Sequence, residues 1–242
     1  NLFFLQPLVA SKADQMLNYI KDSLANANVI ILHNSKRDEV YLANMLKAKY
    51  ARMAPSTAFD TNRLYVFSYQ DGGYNKLVGK LDNNRPNILI NLASNEAYIS
   101  NFVRNLYKKS DNYNLVLMGL ESQWKAYKTL EHKYLFALNL TLASPSFVDY
   151  RQQDVARFVL QFREQYTTEP NLMAFQGYDA GWFFLNALYR YGTHFESCMP
   201  HLEISLLQND FSFKSGGPNA WQNTSSNIYQ YQNYQLIDKK RV

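Results

Sequence analysis

NVIILHNS, at residues 28–35, is the stretch that decides the fold of this 242-residue chain. Its four successive apolar residues are typical of a strand covered on both faces, because a strand with one solvent face alternates apolar and polar side chains. Helices are predicted on either side of it, over residues 14–24 before the strand and from about Val40 to before Pro55 after it. Helix, buried strand, polar turn and helix form the repeating unit of α/β folds.

The same unit recurs along the next hundred residues. Further strands are predicted at 64–67, 88–92 and 115–118, and helices at 76–81, 96–107 and 122–127. Strands joined through helices run parallel, because right-handed crossovers return the chain to the same edge of the sheet. The sequence therefore predicts an α/β fold with a parallel sheet flanked by helices, whose strand C-terminal ends form the edge where such sheets bind ligands.

The second half of the chain departs from this repeat. A strand is predicted at 135–138, and long helices are predicted at 152–166 and 174–191, the latter closed by Gly192. Short strands around turns follow residue 210. We expect a main lobe of residues 28–134 plus 208–242 and a partial second lobe of residues 1–27 plus 135–207.

Composition excludes several classes of function. The lone Cys198 excludes an internal disulfide framework, and the four histidines lack metal-site spacing, so neither a metal nor a cofactor is expected. No nucleophile elbow, phosphate loop or dinucleotide fingerprint is present, which predicts that the chain is not an enzyme. The 25 basic residues are spread along the chain together with 20 acidic residues, which argues against nucleic-acid binding. The first residues carry no export signal, and no apolar run approaches the roughly 20 residues of a membrane-spanning helix.

Several short motifs occur in a characteristic order. They are VIILHN at 29–34, MGLE at 118–121, VDY at 148–150, VARF at 155–158, YTTEP at 166–170, GYDA at 177–180 and FSFK at 211–214. In this order they resemble the type I periplasmic binding proteins, the family of the leucine/isoleucine/valine receptors of ABC transporters. That family begins with roughly a hundred further residues, about one domain's worth, so the resemblance implies that the first lobe is incomplete here. The chain is most similar to a bacterial subgroup that is associated with LysM-type cell-wall-binding modules.

The resemblance implies a ligand site at the edge of the sheet. In amino-acid-binding members, a carboxylate after the strand equivalent to 115–118 holds the ligand's ammonium group, and Glu121 stands at that position. A partly desolvated carboxylate suits this role, although Glu121 alternatively only begins the following helix. Asp38 lies in the loop where the family often has an aromatic residue that closes over the ligand, which is a departure from branched-chain amino-acid recognition.

Polar residues follow two further predicted strands. His33, Asn34 and Ser35 come directly after the first strand, at the edge where ligands are expected. Ser94 and Asn95 follow the strand at 88–92 and are candidates for hydrogen bonds to a polar ligand, with an ordinary helix cap as the alternative.

The motif at 177–180 lies inside an apolar helix. Gly177 is predicted to permit close helix packing, and Asp179 to make a cap or hinge contact. The aromatic residues Tyr178, Trp182 and Phe183 are predicted to be core or interlobe surface rather than a cofactor site.

Together these features predict a non-enzymatic protein that captures a small polar ligand, such as an amino acid, in a cleft between lobes. The resemblance places it in the periplasm or cell envelope and implies a membrane transporter or the cell wall as partner. The alternative is a scaffold of the same fold that binds an envelope protein or the cell wall without a small ligand. The dense tyrosines and the basic surface motivate this alternative.

Overall fold

The structure is a computed structural model that describes residues 1–53, 63–120, 124 and 127–239. The strands in chain order are β1 (Leu2–Phe4), β2 (Asn28–His33), β3 (Leu64–Ser68), β4 (Asn87–Asn91), β5 (Leu115–Leu120), β6 (Thr141–Ser144), β7 (Phe213–Gly217), β8 (Ala220–Asn223), β9 (Asn227–Gln232) and β10 (Gln235–Asp238). The α-helices in the described ranges are α1 (Val9–Ser23), α2 (Arg37–Arg52), α3 (Gly73–Val78), α4 (Glu96–Tyr107), α5 (His132–Ala137), α6 (Gln153–Tyr166) and α7 (Leu172–Tyr191). Short 3₁₀ helices occupy Tyr69–Asp71 and Gly192–His201.

The chain divides into two compact units. The larger unit comprises residues 13–144 and 227–242, and the smaller unit comprises residues 1–12 and 145–226. Within the described residues of the larger unit, seven strands form one sheet in the order β10-β9-β6-β5-β4-β2-β3. The five strands from β6 to β3 in this order run parallel, whereas β9 and β10 are antiparallel additions at one side. The predicted parallel sheet is therefore confirmed.

Helices cover both faces of this sheet. Alternate residues of β2 point to opposite faces, so that Val29 and Ile31 contact one apolar cluster while Ile30 and Leu32 contact the other. The first cluster includes side chains of α1 and α2, and the second includes side chains of α4 and α5. This double cover explains why β2, β4 and β5 are apolar through most of their length, since nearly every side chain on them is buried.

One predicted strand is wrong. Residues 135–138 lie in and directly after α5, and the strand comes later as β6. Tyr134, Leu135 and Leu138 are buried at helical spacing against the second cluster. A short apolar run is equally compatible with a buried helix and a buried strand, which is why these residues were predicted to form a strand.

Two predicted helices need separate comment. The helix expected at 76–81 lies earlier, at α3, and begins after Gly72, which adopts a φ of 67°. The helix expected at 122–127 lies almost entirely outside the described residues, which include only Trp124 and Tyr127 from that range.

The expected domain bounds differ from the two units in three places. Residues 13–27 belong with the larger unit, because α1 packs Met16, Leu17 and Ile20 onto the sheet. Residues 135–144 also belong there, because β6 pairs with β5. Residues 208–226 belong with the smaller unit, where β7 and β8 join β1 in a three-stranded sheet of the described chain.

The smaller unit combines this sheet with α6 and α7. Its main apolar cluster is rich in phenylalanine, and the rings of Phe184 and Phe213 each lie 4.8–6.0 Å, between centroids, from those of Phe3 and Phe183 and from each other. Asp179 of α7 is fully buried. Its carboxylate accepts hydrogen bonds of 2.7–3.0 Å from three successive backbone N–H groups at residues 207–209 and from the Asn209 amide. Asp179 thereby fixes this loop against the helix.

Candidate ligand-binding edge

Three loops meet where parallel strands of the larger unit end. His33 pairs with Ser68 across β2 and β3, and Leu32 pairs with Asn91 across β2 and β4. Because these strands are parallel and in register, the segments that follow them begin side by side. We call the resulting surface, made by residues 33–36, Ser68 and 91–95, the binding edge.

Hydroxyl groups join the first two of these loops. The Oγ atoms of Ser35 and Ser68 are 2.7 Å apart and share one hydrogen bond. The backbone N–H of Ser35 donates to Nδ1 of His33 at 3.1 Å, and Ser68 Oγ accepts from the N–H of Gln70 at 3.2 Å. Ser35 adopts a φ of 60°, in the left-handed region, and remains exposed. The hydroxyl of this exposed residue is therefore held in place by its bond to Ser68.

A buried carboxylate connects the first loop with the third. Glu39, in the first turn of α2, is only 4% exposed. One of its oxygens, Oε2, accepts from the backbone N–H of Asn34 at 2.6 Å. The other, Oε1, accepts from the N–H and the hydroxyl of Ser94 at 3.0 and 2.9 Å, while Lys36 Nζ donates to Ser94 Oγ at 2.8 Å. Glu39 therefore positions both loops rather than offering a free negative charge to a ligand.

Two tyrosines brace the end of β4. Tyr69 OH donates to Asn91 Oδ1 at 3.3 Å, and Tyr127 OH donates to the carbonyl oxygen of Ala93 at 2.8 Å. Burial, followed by the charges of Tyr127 and Glu39, raises the pKa of Tyr69 well above its usual value. Burial also raises the pKa of Tyr127, to about 12. Both phenols therefore keep their protons at neutral pH and act as hydrogen-bond donors.

The start of α4 completes the edge. Asn95 is the N-cap residue of this helix, and its side chain accepts a hydrogen bond from the N–H of Tyr98 at 3.2 Å. Asn95 therefore acts as a helix cap, the alternative given above for this residue. Glu96 accepts hydrogen bonds from the backbone of Lys128 and from the N–H and hydroxyl of Thr129. The hydrogen bond from the Thr129 backbone is the main cause of a lowered pKa for Glu96.

The structure brings most of the predicted site residues together. His33, Asn34, Ser35, Ser94 and Asn95 all lie on the binding edge. Within the described part of the chain, the buried Oδ1 atom of Asn34 accepts no hydrogen bond. A buried polar atom without a partner costs roughly 1–3 kcal/mol, so this oxygen is an unsatisfied acceptor within the edge.

Two other predicted residues stand apart from this group. Asp38 is exposed in the first turn of α2, beside the edge rather than in its hydrogen-bond network. Glu121 lies outside the described residues, so its role stays a prediction.

Several residues that form or support the binding edge were not predicted from sequence as site residues. They include Ser68 and Asn91 of the edge itself, and Glu39, Tyr69 and Tyr127, which hydrogen-bond to it. The burial of Glu39 could have been predicted from helical spacing, because it lies three and four positions before Leu42 and Ala43 on the buried face of α2. The predicted buried face began only at Val40. Ser68 was identifiable as the first polar residue after a predicted strand.

The edge offers a dense set of polar groups without metal ligands. Within residues that the structure describes, no cluster of three or more histidine, cysteine, aspartate or glutamate side chains could hold a metal ion. No helix of the described chain is long and apolar enough to cross a membrane. A hollow of about 240 Å³ is lined by residues between 69 and 75 and by residues of α4, and it includes Tyr69, whose hydroxyl contacts Asn91 of the edge. The edge therefore presents hydrogen-bond donors and acceptors from neighbouring loops side by side.

No protein-family model and no curated protein matches the chain. Solved structures do match it. An ABC transporter substrate-binding protein from Desulfitobacterium hafniense, in complex with Leu, has a TM-score of 0.58 and 16% identity, with 96% of this chain and 66% of that chain covered. A putative branched-chain amino acid ABC transporter protein from Rhodospirillum rubrum has a TM-score of 0.62 and 13% identity, with coverages of 98% and 67%. A branched chain amino acid ABC transporter periplasmic ligand-binding protein from Burkholderia xenovorans has a TM-score of 0.62 and 7% identity, with coverages of 97% and 64%.

These likenesses confirm the predicted fold class, a mostly parallel sheet flanked by helices as in periplasmic binding proteins. The chain spans about two thirds of the length of each of these solved structures.

Proposed function

We propose that this chain is a non-enzymatic solute-binding protein that captures a small polar ligand at the binding edge, for transport or sensing. The observation that carries the proposal is the fixed hydrogen-bond network at the C-terminal ends of parallel strands. In it, Glu39 joins Asn34 to Ser94, and Ser35 joins Ser68. An edge held by buried bonds loses little conformational entropy when a ligand arrives, which favours affinity.

The ligand's polar groups would bind to exposed donors and acceptors of the edge. Ser35, Ser94 and Lys36 offer hydroxyl and ammonium groups, and His33 offers an imidazole. Glu121 is proposed to hold an ammonium group, as the family resemblance implies. Among the described residues, the carboxylates of Glu39 and Glu96 at the edge each already accept three hydrogen bonds. An amino acid or a similar zwitterion fits this distribution of groups.

The partners and location follow from the same proposal. Solute-binding proteins of this fold deliver ligands to membrane transporters, and one solved neighbour is described as a periplasmic ligand-binding protein. We therefore propose a place in the periplasm or cell envelope and a transporter as partner. The association with LysM modules and a cell-wall partner stay predictions of the sequence resemblance. The solved neighbours give no support to the scaffold alternative, since they are described as substrate- or ligand-binding proteins of transporters.

Isothermal titration calorimetry with the twenty amino acids and small dipeptides tests the proposal. We expect binding to at least one ligand, weakened about tenfold in Ser94→Ala and more in Glu121→Ala, because a lost hydrogen bond to a charged group costs roughly 1.5–3 kcal/mol. Asn83→Ala is the matched control, since this exposed residue lies in the loop at the opposite edge of the sheet. The absence of heat with every compound, or equal affinities in Glu121→Ala and the unmodified protein, would refute the assignment.

A further inference from the structure

A second concave surface lies at the opposite edge of the larger unit's sheet, where the parallel strands begin. Leu64 of β3 pairs with Val29 of β2, and Asn87 of β4 pairs with Asn28 of β2. The segments that lead into these strands therefore lie next to each other. Together with the start of β2, residues 63, 65 and 79–85 line a hollow of about 490 Å³, which we call the basic hollow.

Three cations from separate segments of the chain line the basic hollow. Arg63 directly precedes β3, Lys80 follows α3, and Arg85 lies two residues before β4. The one carboxylate among the described lining residues is that of Asp82, so the lining carries two net positive charges. Cations that converge on a concave surface attract an anion, because their potentials add.

The two arginines share one neutral hydrogen-bond acceptor. Nη1 of Arg63 donates to Oδ1 of Asn26 at 3.4 Å, and Nη1 of Arg85 donates to the same oxygen. The Asn26 amide is uncharged, so it holds the two guanidinium groups side by side without compensating their charge. An oxyanion between them would reduce their mutual repulsion and could accept the parallel N–H bonds that guanidinium groups form with planar or tetrahedral oxyanions.

Asp82 compensates the positive charge only in part. Its Oδ2 atom lies 3.7 Å from Nε of Arg85, beyond hydrogen-bond distance, and its Oδ1 atom accepts from the backbone N–H of Asn84 at 2.8 Å. Nζ of Lys80 lies 4.9 Å from the centre of the Tyr65 ring. In the described part of the chain, this ammonium group has no carboxylate partner. The hollow can therefore bind an anion from solution.

Two buried asparagines fix the loop that carries Lys80 and Arg85. Nδ2 of Asn28 donates to the carbonyl oxygen of Lys80 at 2.6 Å and to Oδ1 of Asn87 at 2.9 Å. Nδ2 of the fully buried Asn87 donates to the carbonyl oxygens of Asp82 and Arg85 at 2.9 and 3.2 Å. Oδ1 of Asn87 also accepts from the N–H of Asp82 at 2.8 Å. Because the loop backbone is already ordered, little of its conformational entropy is left to lose when an anion binds.

We propose that the basic hollow binds a phosphoryl group through Arg63, Lys80 and Arg85. A phosphate monoester carries a charge of about −1.5 to −2 at pH 7, which matches the two net positive charges of the lining. Its three terminal oxygens can accept hydrogen bonds from several donors at once, whereas a carboxylate offers two oxygens and a single negative charge. The hollow has room for a phosphate ester as well as for free phosphate. It is separate from the binding edge, which lies at the other ends of the same strands.

Isothermal titration calorimetry in low-salt buffer tests this proposal with inorganic phosphate and glycerol 3-phosphate, and with glycerol as the uncharged reference. We expect both phosphates to bind to the 242-residue chain and glycerol to give no heat. Joint replacement by Arg63→Gln and Arg85→Gln should weaken phosphate binding at least tenfold, because charge-assisted hydrogen bonds are lost. Lys80→Ala should weaken it at least threefold. Since Lys80 is exposed, this variant carries the test if the double variant does not fold.

Arg157→Gln is the matched control. Arg157 forms an ion pair with Asp154 at the same i,i+3 spacing as Arg85 with Asp82, at 3.5 Å against 3.7 Å, but it lies in the smaller unit. This variant loses one positive charge and should bind phosphate as the unmodified chain does. Weakening by Arg157→Gln as large as by Lys80→Ala would show that only the overall charge of the chain attracts phosphate, and would overturn the proposal.

The two phosphate compounds also distinguish the source of the phosphoryl group. Tighter binding of glycerol 3-phosphate indicates that the ligand is a phosphate ester, and equal affinities indicate that phosphate itself is sufficient. Either result supports the proposal. The absence of heat with both compounds would refute it, and would leave the solute site at the binding edge untouched, since that site is tested with amino acids and dipeptides.

Discussion

Replacement of Glu39 by alanine is the sharpest test of how the binding edge is held. The substitution removes the acceptor of three hydrogen bonds, of which the bond from the Asn34 N–H is buried and the two from Ser94 are partly buried. An N–H left buried without a partner costs roughly 1–3 kcal/mol, and water can replace part of the contact at Ser94. We therefore expect the free energy of unfolding to fall by about 2–4 kcal/mol.

Glutamine at position 39 should distinguish the hydrogen bond to the Asn34 loop from those to the Ser94 loop. Its carbonyl oxygen can keep both hydrogen bonds from Ser94, but its NH₂ group then faces the N–H of Asn34, so that two donors meet. Hydrogen exchange should therefore remain slow at the Ser94 amide and become fast at the Asn34 amide in Glu39→Gln. In Glu39→Ala, exchange should become fast at both amides.

Urea denaturation supplies the stability measurement, with Asp38→Ala as control. Asp38 is the preceding residue and is exposed, so its substitution should change stability by less than about 0.5 kcal/mol. A loss below about 0.5 kcal/mol in Glu39→Ala, with both amides still protected, would show that Glu39 does not hold the loops.

Three other predictions follow from the same structure. Because burial raises the pKa of Tyr127 to about 12, the free energy of unfolding should keep its full value below about pH 10 and fall by about 1–2 kcal/mol, after solvent screening, between pH 10 and 12. Tyr127→Phe should reduce this alkaline loss in urea denaturation measured at several pH values. Asp179→Ala leaves four donors without their acceptor and should cost about 3 kcal/mol, measured by thermal and urea unfolding; a loss under 1 kcal/mol would contradict the anchoring role. Gly119→Ala would place a Cβ atom against the indole ring of Trp124 and should lower the free energy of unfolding by about 1–3 kcal/mol, whereas Gly177→Ala in the purified chain should raise it by about 0.5–1 kcal/mol. The opposite order of these two variants in urea denaturation would refute the packing described here.

Local pattern was sufficient to predict the parallel sheet. The strands at 28–33, 87–91 and 115–120 are short, apolar and followed by polar turns, so neighbouring residues already specify them. The predicted helix at 96–107 matches α4, because Asn95 caps it and its apolar residues repeat at helical spacing. The prediction of a strand at 135–138 failed because a run of four apolar residues fits a buried helix and a buried strand equally well.

The binding edge was predictable only in part, for a different physical reason. His33, Asn34, Ser35 and Ser94 follow strands directly, so their position depends only on strand order. Tyr127 reaches Ala93 across 34 positions of sequence, through a contact that no local period encodes. Residues of this second kind are determined by tertiary packing.

Because β9 pairs with β6, the sheet of the larger unit can be completed only after residues 227–232 have been synthesised. β6 ends at Ser144 and its antiparallel partner begins at Asn227, with residues 145–226 of the smaller unit emerging between them during synthesis. Until those residues have left the ribosome, β6 has an unpaired side, and an unpaired strand side invites association with other chains. We therefore expect the nascent chain to be most prone to association between the synthesis of β6 and that of β9, and truncation after residue 226 would leave β6 permanently without this partner.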